Sequence, residues 1–175
     1  MRINQKLGQV WIETVIYTLI GLVIMGLLIG VTTPKIKQIN DKIILGQTTD
    51  YVLNVLDQKI IEIRGAQGNE RLINLRVKKG QLLIDGSNDV IWFKLIDSNY
   101  KASEIGMPIA QGNMIQLTEE KNGKYTINLI LNYTGLFNLT LNGQDNSKVI
   151  TASPTDYKLQ LQNNGNNQIN ILEVS

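Results

Sequence analysis

Three patterns of apolar and polar positions follow one another along the chain, and they predict three kinds of structure. Residues 9–33, QVWIETVIYTLIGLVIMGLLIGVTT, hold a single charged side chain, Glu13. Residues 15–31 carry no charge and are long enough as a helix to cross a bilayer. Residues 34–64 then change to a 3–4 spacing, with Ile36, Ile39 and Ile43 followed by Leu53, Leu56, Ile60 and Ile63. That spacing predicts an amphipathic helix. Pro34 lacks an N–H and predicts a kink or interruption, and Gly46-Gln47-Thr48-Thr49 predicts a bend. Unbroken, residues 10–64 would form a spine of roughly 80 Å at 1.5 Å per residue, with one face buried under a globular head. The alternative is a short linker and a separate helix.

From Arg71 the period falls to two. Ile73, Leu75 and Val77 alternate with polar positions, and residues 81–84, 90–96, 113–118, 125–131, 137–141, 149–151, 157–161 and 169–174 continue the series. Asp85-Gly86, Asn122-Gly123, Asn142-Gly143 and Asn163-Asn164-Gly165 stand between them as turns. The segment VIWFKLI at 90–96 is apolar on both faces and predicts a central strand. Seven to nine short strands at this spacing predict a β-sandwich or barrel. The fold class is thus α+β, a long N-terminal helix ahead of an all-β head. The divisions are a leader at 1–8, an apolar helix at 9–33, an amphipathic continuation at 34–64 and a head at 65–175. No repeat of fixed period stands out, and the amide-rich run 162–168 reads as a polar turn.

Composition removes several functions. The chain has no cysteine and no histidine, which excludes disulfides, zinc–thiolate sites and histidine acid–base chemistry. A net charge of +2, with scattered lysines and arginines, does not make the stripe that nucleic acid requires. The glycines fall in hairpins or in the apolar helix, so no phosphate-cradling loop is expected. No nucleophile–base pair is recognisable. The expectation is a protein that is not an enzyme and needs no cofactor. Asp85, Asn88 and Asp89 cluster as calcium-type oxygen ligands do, but Asp, Asn and Gly are also what hairpin turns use. The residues themselves therefore predict no metal site.

The N-terminus carries the most specific signal. Arg2 and Lys6 give the leader MRINQKLG a positive start, and Thr32-Thr33-Pro34 after the apolar run is a poor signal-peptidase site. The span is expected to be retained. Lys6-Leu7-Gly8, then Gln9-Val10-Trp11-Ile12-Glu13-Thr14, then an apolar helix, resembles the class III signal of type IV pilin-like proteins. Gln at the start of the mature chain resembles the archaeal branch. The resemblance covers residues 6–33. It implies a cut between Gly8 and Gln9 by a prepilin peptidase on the cytoplasmic side, which makes Glu13 the fifth mature residue. Lys6 stands one residue further from that cut than in the commonest form of the signal. The resemblance further implies a membrane-anchored precursor, then an extracellular homopolymeric filament on the cell surface, serving adhesion or attachment. An assembly ATPase and a membrane platform protein are the implied partners.

Physical chemistry gives the same residues a reason. Intramembrane acids usually have a partner. Processing would free the Gln9 amine, and in a filament Glu13 of one subunit would pair with the Gln9 amine of the next and set the stagger. The alternative for Glu13 is the headgroup level, one turn before the hydrocarbon begins. Gly21, Gly26 and Gly30 predict close helix–helix approach, the last two at GxxxG spacing. Flanking charge does not set the orientation, because Lys35, Lys37 and Lys42 follow the span while Arg2 and Lys6 precede it. Two acceptor sequences, Asn132-Tyr133-Thr134 and Asn138-Leu139-Thr140, make Asn132 and Asn138 glycosylation candidates, both expected to face solvent. Two other readings stay open: a minor pilin or pseudopilin, and a monomeric membrane-anchored β-sandwich binding domain.

Overall fold

A computed structural model describes residues 4–174; residues 1–3, with Arg2 of the leader, and Ser175 lie outside it. For residues 4–9, Lys6, Gly8 and Gln9 among them, the backbone alone is described. The chain divides into two compact units, the first ending at Ile39 and the second beginning at Asn40.

The first unit is helix. α1 spans Asn4–Gln47 and runs through Pro34 without a break, where the sequence predicted a kink or interruption. A proline removes one ladder bond, here the one to the Gly30 carbonyl, and the bonds on either side suffice. Four hydroxyls fold back onto the same helix. Thr14 donates to the Val10 carbonyl at 2.8 Å, Thr18 to Thr14 at 2.7 Å, Thr32 to Leu28 at 2.8 Å and Thr33 to Ile29 at 2.7 Å.

The second unit opens on the end of α1. The expected bend at 46–49 is instead a π-helical stretch, Thr48–Asn54, that leads directly into α2, Val55–Arg64. A π-turn widens the helix by a residue per turn without ending it. Leu53, Leu56, Ile60 and Ile63 are fully buried, as their spacing predicted. Ile36, Ile39 and Ile43 are not: all three are exposed, and within the second unit the buried residues of α1 are Asp41, Ile44 and Leu45, followed by Thr48 at the start of the π-helical stretch. The reason is polar. The Asp41 carboxylate, 1% exposed, accepts from the Asn99 N–H at 2.7 Å and its side-chain amide at 3.2 Å, and pairs with Lys79. Burial pushes this carboxyl up, but the Lys79 ammonium and the Asn99 donors outweigh it and hold it below the ordinary range.

Ten strands are found among the described residues: β1 Glu70–Leu75, β2 Gln81–Asp85, β3 Val90–Ser98, β4 Ile109–Gln111, β5 Met114–Lys121, β6 Lys124–Asn132, β7 Asn138–Leu141, β8 Ser147–Thr151, β9 Tyr157–Gly165 and β10 Gln168–Val174. They make two open sheets. One has the order β1-β9-β10-β7 and the other β4-β5-β6-β3-β2-β8. Pairing is antiparallel except between β7 and β10. β3 is central, as VIWFKLI predicted, although only Ile91, Phe93 and Leu95 point inward. Inward residues of both sheets and of α2 share one apolar core, so the class is α+β.

Two local features differ from expectation. β4 was not expected; it is three residues long, wholly exposed, and paired on one side only. The β9–β10 turn falls at Asn166-Asn167, both in the left-handed region (φ 50° and 58°), rather than at 163–165. Asparagine tolerates that conformation better than other side-chain-bearing residues. Asn163 is thereby released to the end of β9. Its buried amide donates to the Ile63 carbonyl at 2.9 Å and the Ala66 carbonyl at 3.1 Å, closing the C-terminus of α2.

Candidate functional site

In the first unit, every apolar side chain from Val10 to Val31 that is large enough to matter is exposed, Trp11 to 75%. Exposed positions include Ile12, Val15, Ile16, Tyr17, Leu19, Ile24, Met25, Leu28 and Ile29, which at about 100° per residue cover every direction around the axis. A helix that is apolar all round belongs in a membrane or inside a protein core. α1 is long and apolar enough to cross a membrane.

The polar groups on this surface divide in two. The threonine hydroxyls are satisfied within the helix, as described. Glu13 is exposed and makes no ion pair or hydrogen bond among the described residues. Gly8 and Gln9, the residues of the expected cut, lie one turn earlier on the same helix. At about 100° per residue, Tyr17 lies some 40° round the axis from Glu13 and Gly21 some 80°. Gly26 and Gly30 lie at about 220° and 260°, on the opposite flank. A Cβ added at Gly21, Gly26 or Gly30 would meet nothing within 4 Å. Nothing among the described residues requires these glycines, and each lowers helix propensity by about 1 kcal/mol relative to alanine.

In the second unit both sequon asparagines are exposed. They are not equivalent. Asn132 accepts from the Thr134 N–H at 3.0 Å, and the Thr134 hydroxyl donates to the Asn88 carbonyl at the surface. Thr140, the third residue of the other sequon, is 1% exposed, and its hydroxyl bonds the Asn170 Oδ1 at 3.1 Å. An enzyme that reads both the amide and the hydroxyl meets the second sequon only before β7 docks. Asn128, on the same side of β6 as Asn132, is buried, held between the Trp92 indole N–H at 3.1 Å and the Glu119 carboxylate at 3.0 Å.

The Asp85–Asp89 loop spends its oxygens on structure. Asp85 accepts from the Ser87 N–H at 3.1 Å and the Asn88 amide at 2.8 Å, while Asp89 accepts from the Leu139 N–H at 2.8 Å and ties the loop to β7. No cluster of three metal-ligating side chains occurs among the described residues.

Sequence reasoning missed two acids in the second unit, Asp41 and Asp57. The Asp57 carboxylate accepts from the Tyr133 hydroxyl at 2.9 Å and the Asn113 amide at 3.2 Å. Tyr133 is fully buried, and burial, then the Asp57 charge, pushes its phenol far above the ordinary range. The spacing of Asp41 from Ile43, about half a turn round the same helix, was the available signal for Asp41, and none marked Asp57. No family model, no curated protein and no solved structure matches the chain.

Proposed function

We propose that the protein is the structural subunit of an extracellular, type IV pilus-like filament, polymerised through α1. One observation carries the reading: an all-round apolar helix holds an acid, Glu13, with no partner among the described residues, and three glycines at which an added Cβ would meet none of those residues within 4 Å. Before assembly the lipid bilayer covers this surface. In the filament, copies of the same helix replace the lipid, and Gly21, Gly26 and Gly30 let their backbones approach. A prepilin peptidase frees the Gln9 amine, and Glu13 of one copy pairs with the amine of its neighbour. A charge at the bilayer centre costs about 2.5–3.5 kcal/mol on insertion scales, and a carboxylate nearer the end costs less. Pairing in the filament removes that cost only for correctly staggered copies. The head coats the fibre and makes its outer contacts, with adhesion as the function and the glycans at Asn132 and Asn138 as surface modification. The assembly ATPase and platform protein remain the implied partners.

The test is the mature N-terminus of material sheared from cells, read by mass spectrometry. A chain beginning at Gln9 supports the proposal. A second reading, a plain anchored binding domain, is favoured by the length of the apolar segment alone. It predicts an intact leader and no fibre.

A further inference from the structure

The outward face of the six-stranded sheet carries an apolar row that the core does not use. Following the pairing across the strands, Val149 of β8 lies opposite Leu83 of β2, Leu83 opposite Trp92 of β3, and Trp92 opposite Ile130 of β6. Ile130 lies opposite Ile115 of β5, and Ile115 opposite Ala110 of β4. Five of the six are alternates of core residues on their own strands (Ile150, Leu82, Ile91, Leu129 and Met114), so the row faces away from the core, and Ala110 of the wholly exposed β4 continues it. Val149 is 51% exposed, Ala110 is exposed, and the other four are part-exposed. A solvated sheet face normally carries polar side chains. Here six strands at about 4.8 Å spacing line up one apolar stripe about 24 Å long.

The centre of the stripe is preorganised. The Trp92 indole N–H is already satisfied by Asn128, whose amide is held in turn by Glu119. The ring is therefore held in a fixed orientation, and its face is bared for contact when Lys94 moves off it; a tryptophan so fixed is suited to anchor an interface.

The rims identify the occupant. On one side of the stripe lie Ser147, Asp85, Val90 and Asn132; on the other lie Thr151, Gln81, Lys94, Asn128 and Leu117. One acid stands on one rim and one base on the other, on adjacent strands. We propose that this face binds the same face of a second copy of the chain, about a two-fold axis running along the stripe. That operation stacks the stripe on itself and turns each rim over the opposite one. Asp85 of each copy then meets Lys94 of the other, giving two identical ion pairs, as an isologous contact requires. Lys94 now lies over the Trp92 ring, 5.4 Å from its centroid, and swings out to make the pair. The contact joins heads and does not rest on the filament reading; Glu13 takes no part in it.

The chain lacks cysteine, so a single introduced thiol reports cleanly. The experiment uses the full chain in detergent micelles with Leu83→Cys and a bismaleimide matched to the roughly 10 Å between packed sheets. Lys158→Cys, exposed on the other sheet, is the control. The expected result is a cross-linked dimer from Leu83→Cys at least tenfold above the control, and unchanged when Glu13→Ala is added. Lys94→Glu should abolish it, and Lys94→Glu with Asp85→Lys should restore it. Asp85 also holds its own turn, so Val149→Glu, at a half-exposed site, serves as a second disrupting variant whose melting curve should match the parent. Equal cross-linking from both thiols means micelle crowding and overturns the proposal. So does a Leu83→Cys thiol shielded from maleimide without dimer, which indicates another occupant, or a dimer indifferent to both Lys94→Glu and Val149→Glu.

Discussion

Replacing Asp41 by alanine should destabilise the second unit strongly, and far more than replacing its ion-pair partner. Asp41 is almost completely buried and holds three groups: the Asn99 N–H, the Asn99 side-chain amide and the Lys79 ammonium. Lys79 is 39% exposed, so water recovers it when Asp41 is gone, and its pair with the carboxylate is discounted accordingly. The two Asn99 bonds to a buried carboxylate are each of the charge-assisted kind, at about 1.5–3 kcal/mol. Allowing for partial rehydration of Asn99, Asp41→Ala should cost about 3 kcal/mol, and Lys79→Ala about 1 kcal/mol or less. For a unit of this size, 3 kcal/mol corresponds to a fall in Tm of roughly 10–15 °C. Thermal melts of the full chain in detergent, followed by circular dichroism in the β-sheet band, measure it. The pH dependence supplies an internal check. The folded carboxyl sits below its ordinary value of 3.8, so its contribution is complete above that pH and is lost as the pH falls below it. Wild type and Asp41→Ala should therefore differ fully at pH 6 and converge in strong acid. Equal losses for Asp41→Ala and Lys79→Ala, or a gap that widens in acid, would refute the reasoning.

Other outcomes follow from the same contacts. Tyr133→Phe should cost about 1–2 kcal/mol in a denaturant titration, because Asp57 then keeps only the Asn113 amide. In wild type, the support from the Tyr133 hydroxyl is complete below the phenol's ordinary value of 10.0 and is lost as the pH rises beyond it. An alkaline difference spectrum should show the Tyr133 phenol ionising only as the head unfolds, an increment that Tyr133→Phe removes. Gly26→Leu with Gly30→Leu should leave the helicity of the detergent-solubilised subunit unchanged, since nothing lies within 4 Å of either site, yet lower fibre yield about tenfold. Unchanged yield, measured by pelleting, would remove these glycines from assembly. Glycopeptide mass spectrometry should find Asn132 occupied more fully than Asn138, because the Thr140 hydroxyl is buried; the reverse order contradicts that explanation.

Much of this was legible in the chain, for local reasons. The uncharged run at 15–31, the period of two after Arg71 and the Asn122-Gly123 turn are properties of neighbouring residues, and each led to the element found. What was not legible depends on distant partners. Ile43 continues as good an apolar stripe as Leu53, Leu56, Ile60 and Ile63, yet it is exposed, because Asp41 on the other side of the helix finds Asn99, 58 residues away. β4 was hidden because it is three exposed residues between Gly106 and Gly112, too few to show a period of two. The turn at Asn166-Asn167 was placed too early because Gly165 is the more familiar turn residue, while Asn163 was needed beneath α2. At the candidate site, Glu13 and the glycines were visible in sequence since the described side chains of the first unit are exposed and no burial overrides their pattern. The apolar row across the second sheet needed the strand register.

Glu13→Ala, examined in cells by electron microscopy of sheared surface material, tests the central claim most directly. Fibres are expected from wild type and none from the variant, whose subunit should still be cut before Gln9 and retained in the membrane fraction. Fibres of normal number and length from Glu13→Ala would contradict it.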